Sequence, residues 1–274
     1  MHWADRLSLA SIGATTGKLF IVGASGLAYR DQISQMFGPD PDGRVRFTAT
    51  ISAAIPLCTA SGNDTILVLP GHSESITSAA GIAANVAGVT IRGLGSGSMR
   101  PTITWTTAVS ASLDVSAANV TIDNMILDMT GFDAITAGIN VTAAGFTLQN
   151  CLVINTTSLA QATLCILTTA AAGRMRILNN EFLGTTDAGT ATAIRIVGGN
   201  EHRIENNRFY GAYTASLGAI ENNTTACLRV TIKDNIIENA TALSTKAMVF
   251  ASGSTGSISG NHMQILSGTA PITS

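Results

Sequence analysis

The chain repeats itself at a spacing that few folds can use. The residue types of His202-Arg203-Ile204-Glu205-Asn206-Asn207-Arg208-Phe209-Tyr210-Gly211 recur six more times, giving anchors at Ile91, Ile122, Leu148, Ile177, Ile204, Ile232 and Ile258. Successive anchors are 31, 26, 29, 27, 28 and 26 residues apart by subtraction. A drifting period of that size points to a solenoid, in which each unit hides its apolar face only by stacking on its neighbours.

Each repeat is a strand before it is anything else. Two residues ahead of the anchor stand Val89, Val120, Phe146, Met175 and Val230, with His202 and Gly256 as exceptions. The positions between and after are mostly polar: Thr90 and Arg92, Thr121 and Asp123, Thr147 and Gln149, Thr231 and Lys233. Apolar spacing of two buries one face of a strand, whereas a helix needs spacings of three and four. Two residues past the anchor come Asn124, Asn150, Asn179, Asn206 and Asp234, and a further Asn follows at Asn180, Asn207, Asn235 and Asn261. Asn tolerates the left-handed conformation and offers both donor and acceptor. The first of these columns is therefore predicted to turn the chain and to point inward as the structural turn ladder. Leu127, Val153, Phe182, Phe209, Ile237 and Met263 then restart an apolar face. Further strands are predicted at Ser112–Val115, Gly138–Val141, Leu164–Leu167, Ala193–Val197 and Ala247–Phe250, with corners marked by Gly145, Gly173, Gly198-Gly199 and Gly253.

A coil of two or three strands with such corners and an asparagine column resembles the right-handed parallel β-helix of the pectin-lyase-like superfamily, over roughly residues 62–265. The resemblance implies an all-β fold, a right-handed parallel β-helix solenoid with a short N-terminal anchor segment and a capping helix. Residues 1–61 would be the anchor and cap, and 62–274 the β-helix. It leaves activity open, because that superfamily holds lyases, hydrolases, esterases and inert viral spikes.

The residues ahead of the regular stack narrow this. Lys18–Gly23 reads as a short strand, Tyr29–Phe37 as helical, and Gly38-Pro39-Asp40-Pro41-Asp42-Gly43 as a loop. In Thr48–Cys58, Ile51, Ala54, Ile55 and Cys58 fall at helical spacing, so an amphipathic helix should cover the open edge of the first coil. Asp64–His72 is a buried strand stopped by Pro70-Gly71, and Val89–Gly97 with Arg100–Thr104 opens the stack. Together with Tyr29–Phe47, this resembles the beginning of β-helical proteins that tailed bacteriophages encode beside their capsid genes. That resemblance implies a virion component, synthesised in the host cytoplasm. It would pack with copies of itself, as a homotrimer, and attach to capsid or other virion proteins through its N-terminal segment. The attachment residues would be Trp3, Leu7, Leu9 and Phe20, and the lateral contacts would use coil faces rich in Thr, Ser and Ala.

Composition sets outer bounds. A 274-residue chain with 46% apolar and 12% charged residues can bury a long core. The formal charge of −2 leaves no basic footprint, so nucleic acid is not an expected partner. No run of 18 apolar residues is present, and no membrane association is expected. Leu7–Ala14 after Arg6 imitates a signal peptide only faintly, being short and interrupted by polar residues. Cys58, Cys151, Cys165 and Cys227 lack CxxC spacing and read as reduced core residues, with Cys151 standing where a turn Asn would otherwise sit. Residues 269–274 offer no amphipathic cap, which leaves an exposed last strand for a partner.

The sequence offers few residues that could form an active site. The column after the anchor carries Arg92, Asp123, Gln149, Leu178, Glu205, Lys233 and Ser259. Asp123 and Glu205 are three coils apart, or roughly 14 Å, too far for the ~5.5 Å or 6.5–9.5 Å that glycoside hydrolysis uses. Glu181 with Arg208, and Glu205 with Lys233, read as exposed cross-coil ion pairs. Asp123, Asp128 and Asp133 are the one acidic cluster and the candidate acid residues of a lyase or hydrolase, or of a Ca²⁺ site. No neighbouring coil adds a carboxylate in the same column, so neither metal nor cofactor is expected. His202 takes an apolar position and reads as an interior, hydrogen-bonded residue. The expectation is a non-catalytic structural protein. The alternatives are a tailspike-type polysaccharide depolymerase and a carbohydrate-binding adhesin directed at a host surface glycan.

Overall fold

The computed structural model describes residues 17–27, 30–36, 46–157, 160–185, 190–213, 217–222, 224–240 and 246–265. Trp3, Leu7 and Leu9 lie outside these residues. The chain winds into a parallel β-solenoid with three sheets of ten, eight and seven strands. Each full coil gives one strand to each sheet in turn.

Sheet 1 carries the repeat anchors. Its register places Ile66, Ile91, Ile122, Leu148, Ile177, Ile204, Ile232 and Ile258 opposite one another in a single row. All but the last are buried in the core. The row begins earlier than the repeats reveal. Strand Leu19–Val22 pairs with Thr65–Val68 and sets Phe20 opposite Ile66, and Phe47–Thr48 lies outside it at the sheet edge. The segment assigned to the anchor thus supplies strands to the solenoid itself. Phe20 is 2% exposed and packs inside the chain, so its side chain is not a surface for a partner.

Sheet 2 follows the turn after each anchor and aligns Ile103, Leu127, Val153, Phe182, Phe209, Ile237 and Met263. Phe182 and Phe209 stack with ring centroids 4.7 Å apart. Sheet 3 contains the predicted second family of strands, at Leu113–Val115, Ile139–Val141, Leu164–Thr168, Thr192–Arg195 and Met248–Phe250. Two members escape the sequence pattern, Ile82–Ala84 and Ile220–Asn222. The first is short and carries two Ala, and the second reads as polar because Glu221 is buried against Arg195 at 2.6 Å.

The beginning of the stack is closed by side chains from several segments. Helix α1 (Arg30–Met36) puts Ile33 on a small satellite cluster with Ile21 and Leu69, flanked by Leu27, Phe47 and Leu94. Helix α2 (Ile51–Ala54) runs on into a tight turn, Ile55–Leu57, and buries Ile51, Ala54 and Ile55 over the first coil, as the spacing predicted. Its first turn holds no acidic residue. The Thr50 side chain accepts the Ala53 N–H at 3.1 Å, and Glu74 reaches across to accept the Ile51 N–H at 2.7 Å. Glu74 stands beside Ile103 in the inner row of sheet 2, where every later coil has an apolar residue. The core ends on a carboxylate there because a helix N-terminus must be satisfied. Asp64, 1% exposed, performs a similar service, accepting the N–H groups of Lys18 and Thr59 at 2.6 Å each.

Among the described residues, the other end finishes on Met248–Phe250, Gly256–Ser259 and His262–Ile265, the last strand of each sheet. The anchor row runs out into solvent there: Ile258 is 54% exposed.

Candidate functional site

The corner between sheets 1 and 2 carries both asparagine columns of the repeat. Asn124, Asn150, Asn179, Asn206 and Asp234 all adopt φ between 54° and 57°, the left-handed region in which Asn and Asp are tolerated. They turn the chain, as predicted, but they do not point inward. Asn150, Asn179, Asn206 and Asp234 are exposed and Asn124 is half-buried. A left-handed residue breaks strand alternation, so the residue after it faces the core.

The buried ladder is accordingly the second column. Asn180, Asn207 and Asn235 each accept the backbone N–H of the preceding coil's equivalent residue through Oδ1, and Asn261 does the same for Asn235, all at 2.9 Å. Their Nδ2 groups donate to Leu148, Ile177, Ile204 and Ile232 carbonyls, the anchors of the preceding coil. Every rung satisfies groups that the turn would otherwise strand in the interior.

Cys151 extends this ladder with sulfur in place of an amide. Its Sγ accepts the Met125 N–H at 3.4 Å and donates to the Gln149 carbonyl at 3.2 Å. Burial pushes the thiol up to about 12, so it stays protonated as the donor role requires. Cys165, also buried, is pushed up to about 12 by the same cause. All four cysteines are free thiols, as expected from their spacing. Asparagine at position 151 would replace two weak sulfur bonds with amide bonds. Cys151→Asn is expected to raise stability by about 1 kcal/mol, read as a higher urea midpoint at unchanged slope. A lowered midpoint would show that the site tolerates only sulfur.

Outside the ladder lies a groove of about 510 Å³ lined by Arg100, Asn150, Asn179, Asn206, Asp234, Glu181, Arg208 and Ile236, with ladder residues at its floor. Arg100 donates to the Asn150 carbonyl at 3.1 Å. Arg208 bridges Glu181 at 3.2 Å and Glu238 at 3.1 Å, holding its guanidinium charged. The groove offers amides on successive coils about 4.8 Å apart, next to charges already paired. That is an arrangement for holding a polar surface or ligand. It contains no nucleophile hydrogen-bonded to a base.

The three candidate acids are not brought together. Asp123 faces outward from sheet 1, where Arg92 Nε at 2.8 Å and Asn150 Nδ2 at 2.8 Å occupy its carboxylate. Asp128 lies on sheet 2 and accepts the Thr130 N–H at 3.0 Å and its hydroxyl at 2.6 Å. Asp133 sits in an exposed turn. Sequence distance suggested a cluster because it ignored the corner between Asp123 and Asp128. Among the described residues no group of three His, Cys, Asp or Glu side chains could hold a metal ion.

The ion pairs follow the predicted pattern in part. Glu181 meets Arg208 across coils, but Glu205 pairs with Arg203 two residues earlier on its own strand, and Lys233 turns to Asp234. Arg203 lies directly beside Arg176 in the register, so Glu205 is drawn to where two positive charges face each other. His202 is fully buried, with its Nε2 donating to the Gly198 carbonyl at 3.0 Å and its Nδ1 unpartnered. Burial lowers its pKa, and the ring stays neutral. It is an interior residue, as the sequence indicated.

No helix among the described residues is long and apolar enough to cross a membrane. No protein-family model, curated protein or solved structure matches the chain.

Proposed function

We propose that this chain is a non-catalytic structural β-solenoid, a bacteriophage virion component of the head-decoration, spike or fibre type. It is made in the host cytoplasm, joined to the particle through its N-terminal segment and packed against copies of itself, as trimers by the resemblance. The observation that carries the non-catalytic part is the state of Asp123. The best-placed acid is already bound by Arg92 and Asn150, and its two supposed companions lie elsewhere. A second observation supports lateral packing. The outer face of sheet 2 sets Ile126 beside Leu152, Ile154 beside Leu183 and Leu183 beside Tyr210, with Ile236 43% exposed nearby. This face is a second candidate for lateral packing beside the Thr-, Ser- and Ala-rich faces.

The groove at the corner favours one second reading, a carbohydrate-binding adhesin using Asn179, Asn206 and Arg100. The tailspike depolymerase reading has its three candidate acids apart, with Asp123 on sheet 1, Asp128 on sheet 2 and Asp133 in a turn. Incubation with host capsule or lipopolysaccharide separates the three. A depolymerase shortens the chains and loses that activity in Asp123→Ala, an adhesin retains unshortened glycan, and a structural protein does neither. Shortening by the native chain would overturn the proposal, and imaging the particle with this chain located would test its virion half.

A further inference from the structure

The outer face of sheet 2 carries a pattern that complements its own reverse. Its first outward column runs Leu152, Glu181, Arg208, Ile236 on four successive coils. Its second runs Ile154, Leu183, Tyr210, Glu238 on the same coils. Ile236 is 43% exposed, and Leu152, Ile154, Leu183 and Tyr210 are half-buried. The central charges are also open to solvent, with the Glu181 side chain 42% exposed and that of Arg208 49%. Arg208 directs one terminal nitrogen to Glu181 and the other to Glu238, and a guanidinium has five N–H donors, so capacity remains for another carboxylate.

A face meets itself only across a two-fold axis. Let that axis run along the strands, between the coils of Glu181 and Arg208. The two solenoids then lie antiparallel, and each column faces its own reverse. Glu181 of one copy meets Arg208 of its partner twice over, so two glutamates and two arginines alternate around the axis. Leu152 meets Ile236, and Leu183 meets Tyr210, each pair again occurring twice. Ile154 meets Glu238, the one unlike pair in these four coils, and that carboxylate is already held by Arg208 at 3.1 Å. One coil further out, Asp128 meets the Gln264 amide and Ile126 meets His262. Both copies share a coil spacing of about 4.8 Å, which keeps all the pairs in step.

Other registers fail on named pairs. An axis on the Glu181 coil sets Glu181 against Glu181 and Leu152 against Arg208. An axis on the Arg208 coil sets Arg208 against Arg208 and Glu181 against Ile236. An axis along the solenoid puts each coil against its equal, so Glu181 lies on Leu183 or on another Glu181. Like charges across an interface, and charges buried there without a partner, are costly. We infer that the outer face of sheet 2 is a self-association surface whose occupant is a second, antiparallel copy of this chain. The Glu181–Arg208 square sets its register, and the Leu152–Ile236 and Leu183–Tyr210 contacts supply its apolar part. The inference rests on the reading that copies pack against one another. The two-fold is its own addition, and it leaves the other faces free for three-fold contacts.

The test is sedimentation equilibrium of the full chain from about 1 μM to about 1 mM. Six coils span roughly 24 Å, which makes a small interface, so a dimer that forms within this range is expected. Glu181→Arg and Arg208→Glu each place like charges across the axis, and each should weaken association at least about tenfold. Both positions are exposed, where losing an ion pair costs the fold little. Mixed in equal amounts, the two variants are complementary and should recover the dimer that neither forms alone. Ile236→Lys, which sets a charge against Leu152, should also weaken the dimer at least about tenfold and decides the matter if a charge variant fails to fold. A native chain that stays monomeric throughout overturns the inference together with the reading that copies pack. A trimer that none of these substitutions weakens keeps that reading and overturns the inference alone. So does a dimer whose two charge variants associate no better mixed than apart.

Discussion

Asn207→Leu is expected to lower the unfolding free energy by about 3–5 kcal/mol, while Asn206→Ala next to it lowers it by about 1 kcal/mol or less. The two side chains are adjacent in sequence and opposite in environment. Asn207 Oδ1 accepts from both the backbone and the side chain of Asn180, and its Nδ2 donates to the Ile177 and Glu205 carbonyls and to Asn235. Leucine leaves several of these interior groups unpaired, and each unsatisfied group costs about 1–3 kcal/mol before relaxation. Asn206 is exposed, and its substitution costs mainly the strain of placing alanine at positive φ. Urea unfolding of both variants beside the native chain reads the difference. Equal losses at the two positions would mean that the inward column has been misassigned.

Phe209→Ala is expected to cost a similar 3–5 kcal/mol, the usual range for deleting a buried aromatic ring, and to do its damage locally. The ring is fully buried between the coils of Phe182 and Ile237. Removing it opens a cavity and forfeits the stack on Phe182, a contact worth about 0.5–1.5 kcal/mol beyond the area buried. In a solenoid each coil touches only its neighbours, so the lost free energy should appear in the adjoining coils first. Amide exchange should quicken in Glu181–Gly184 and Ile236–Asn239 and stay unchanged in Thr65–Val68 and Thr90–Gly93. A uniform loss of protection along the chain would show instead that the stack unfolds as one unit, and the nearest-neighbour account of its stability would fail.

Both expectations follow from a fold that was largely visible beforehand, at a corner that was not. Alternation and period are local properties, repeated many times, so Ile122, Leu148, Ile177, Ile204 and Ile232 could be placed in one row before any register was known. Reading which of Asn206 and Asn207 faces inward required the left-handed φ at the first, because that one residue shifts the phase of every side chain after it. The candidate acids show the same limit. Asp123 and Asp128 are five residues apart, yet the turn between them sends their strands into different sheets.

The sequence by itself determined the repeat, the strand character of each repeat and the helix over the first coil. Those depend on residue types a few positions apart or on a period that averages over many coils. Only the tertiary structure decided that Phe20 joins the core row, that Glu74 and Asp64 serve backbone N–H groups from other segments, that Cys151 stands in for an asparagine rung, and that His72 accepts the Ala24 N–H. Each of these is a single contact between residues tens of positions apart. It occurs once, so no periodicity announces it, and it exists only because stacking brings those two points of the chain within hydrogen-bonding distance.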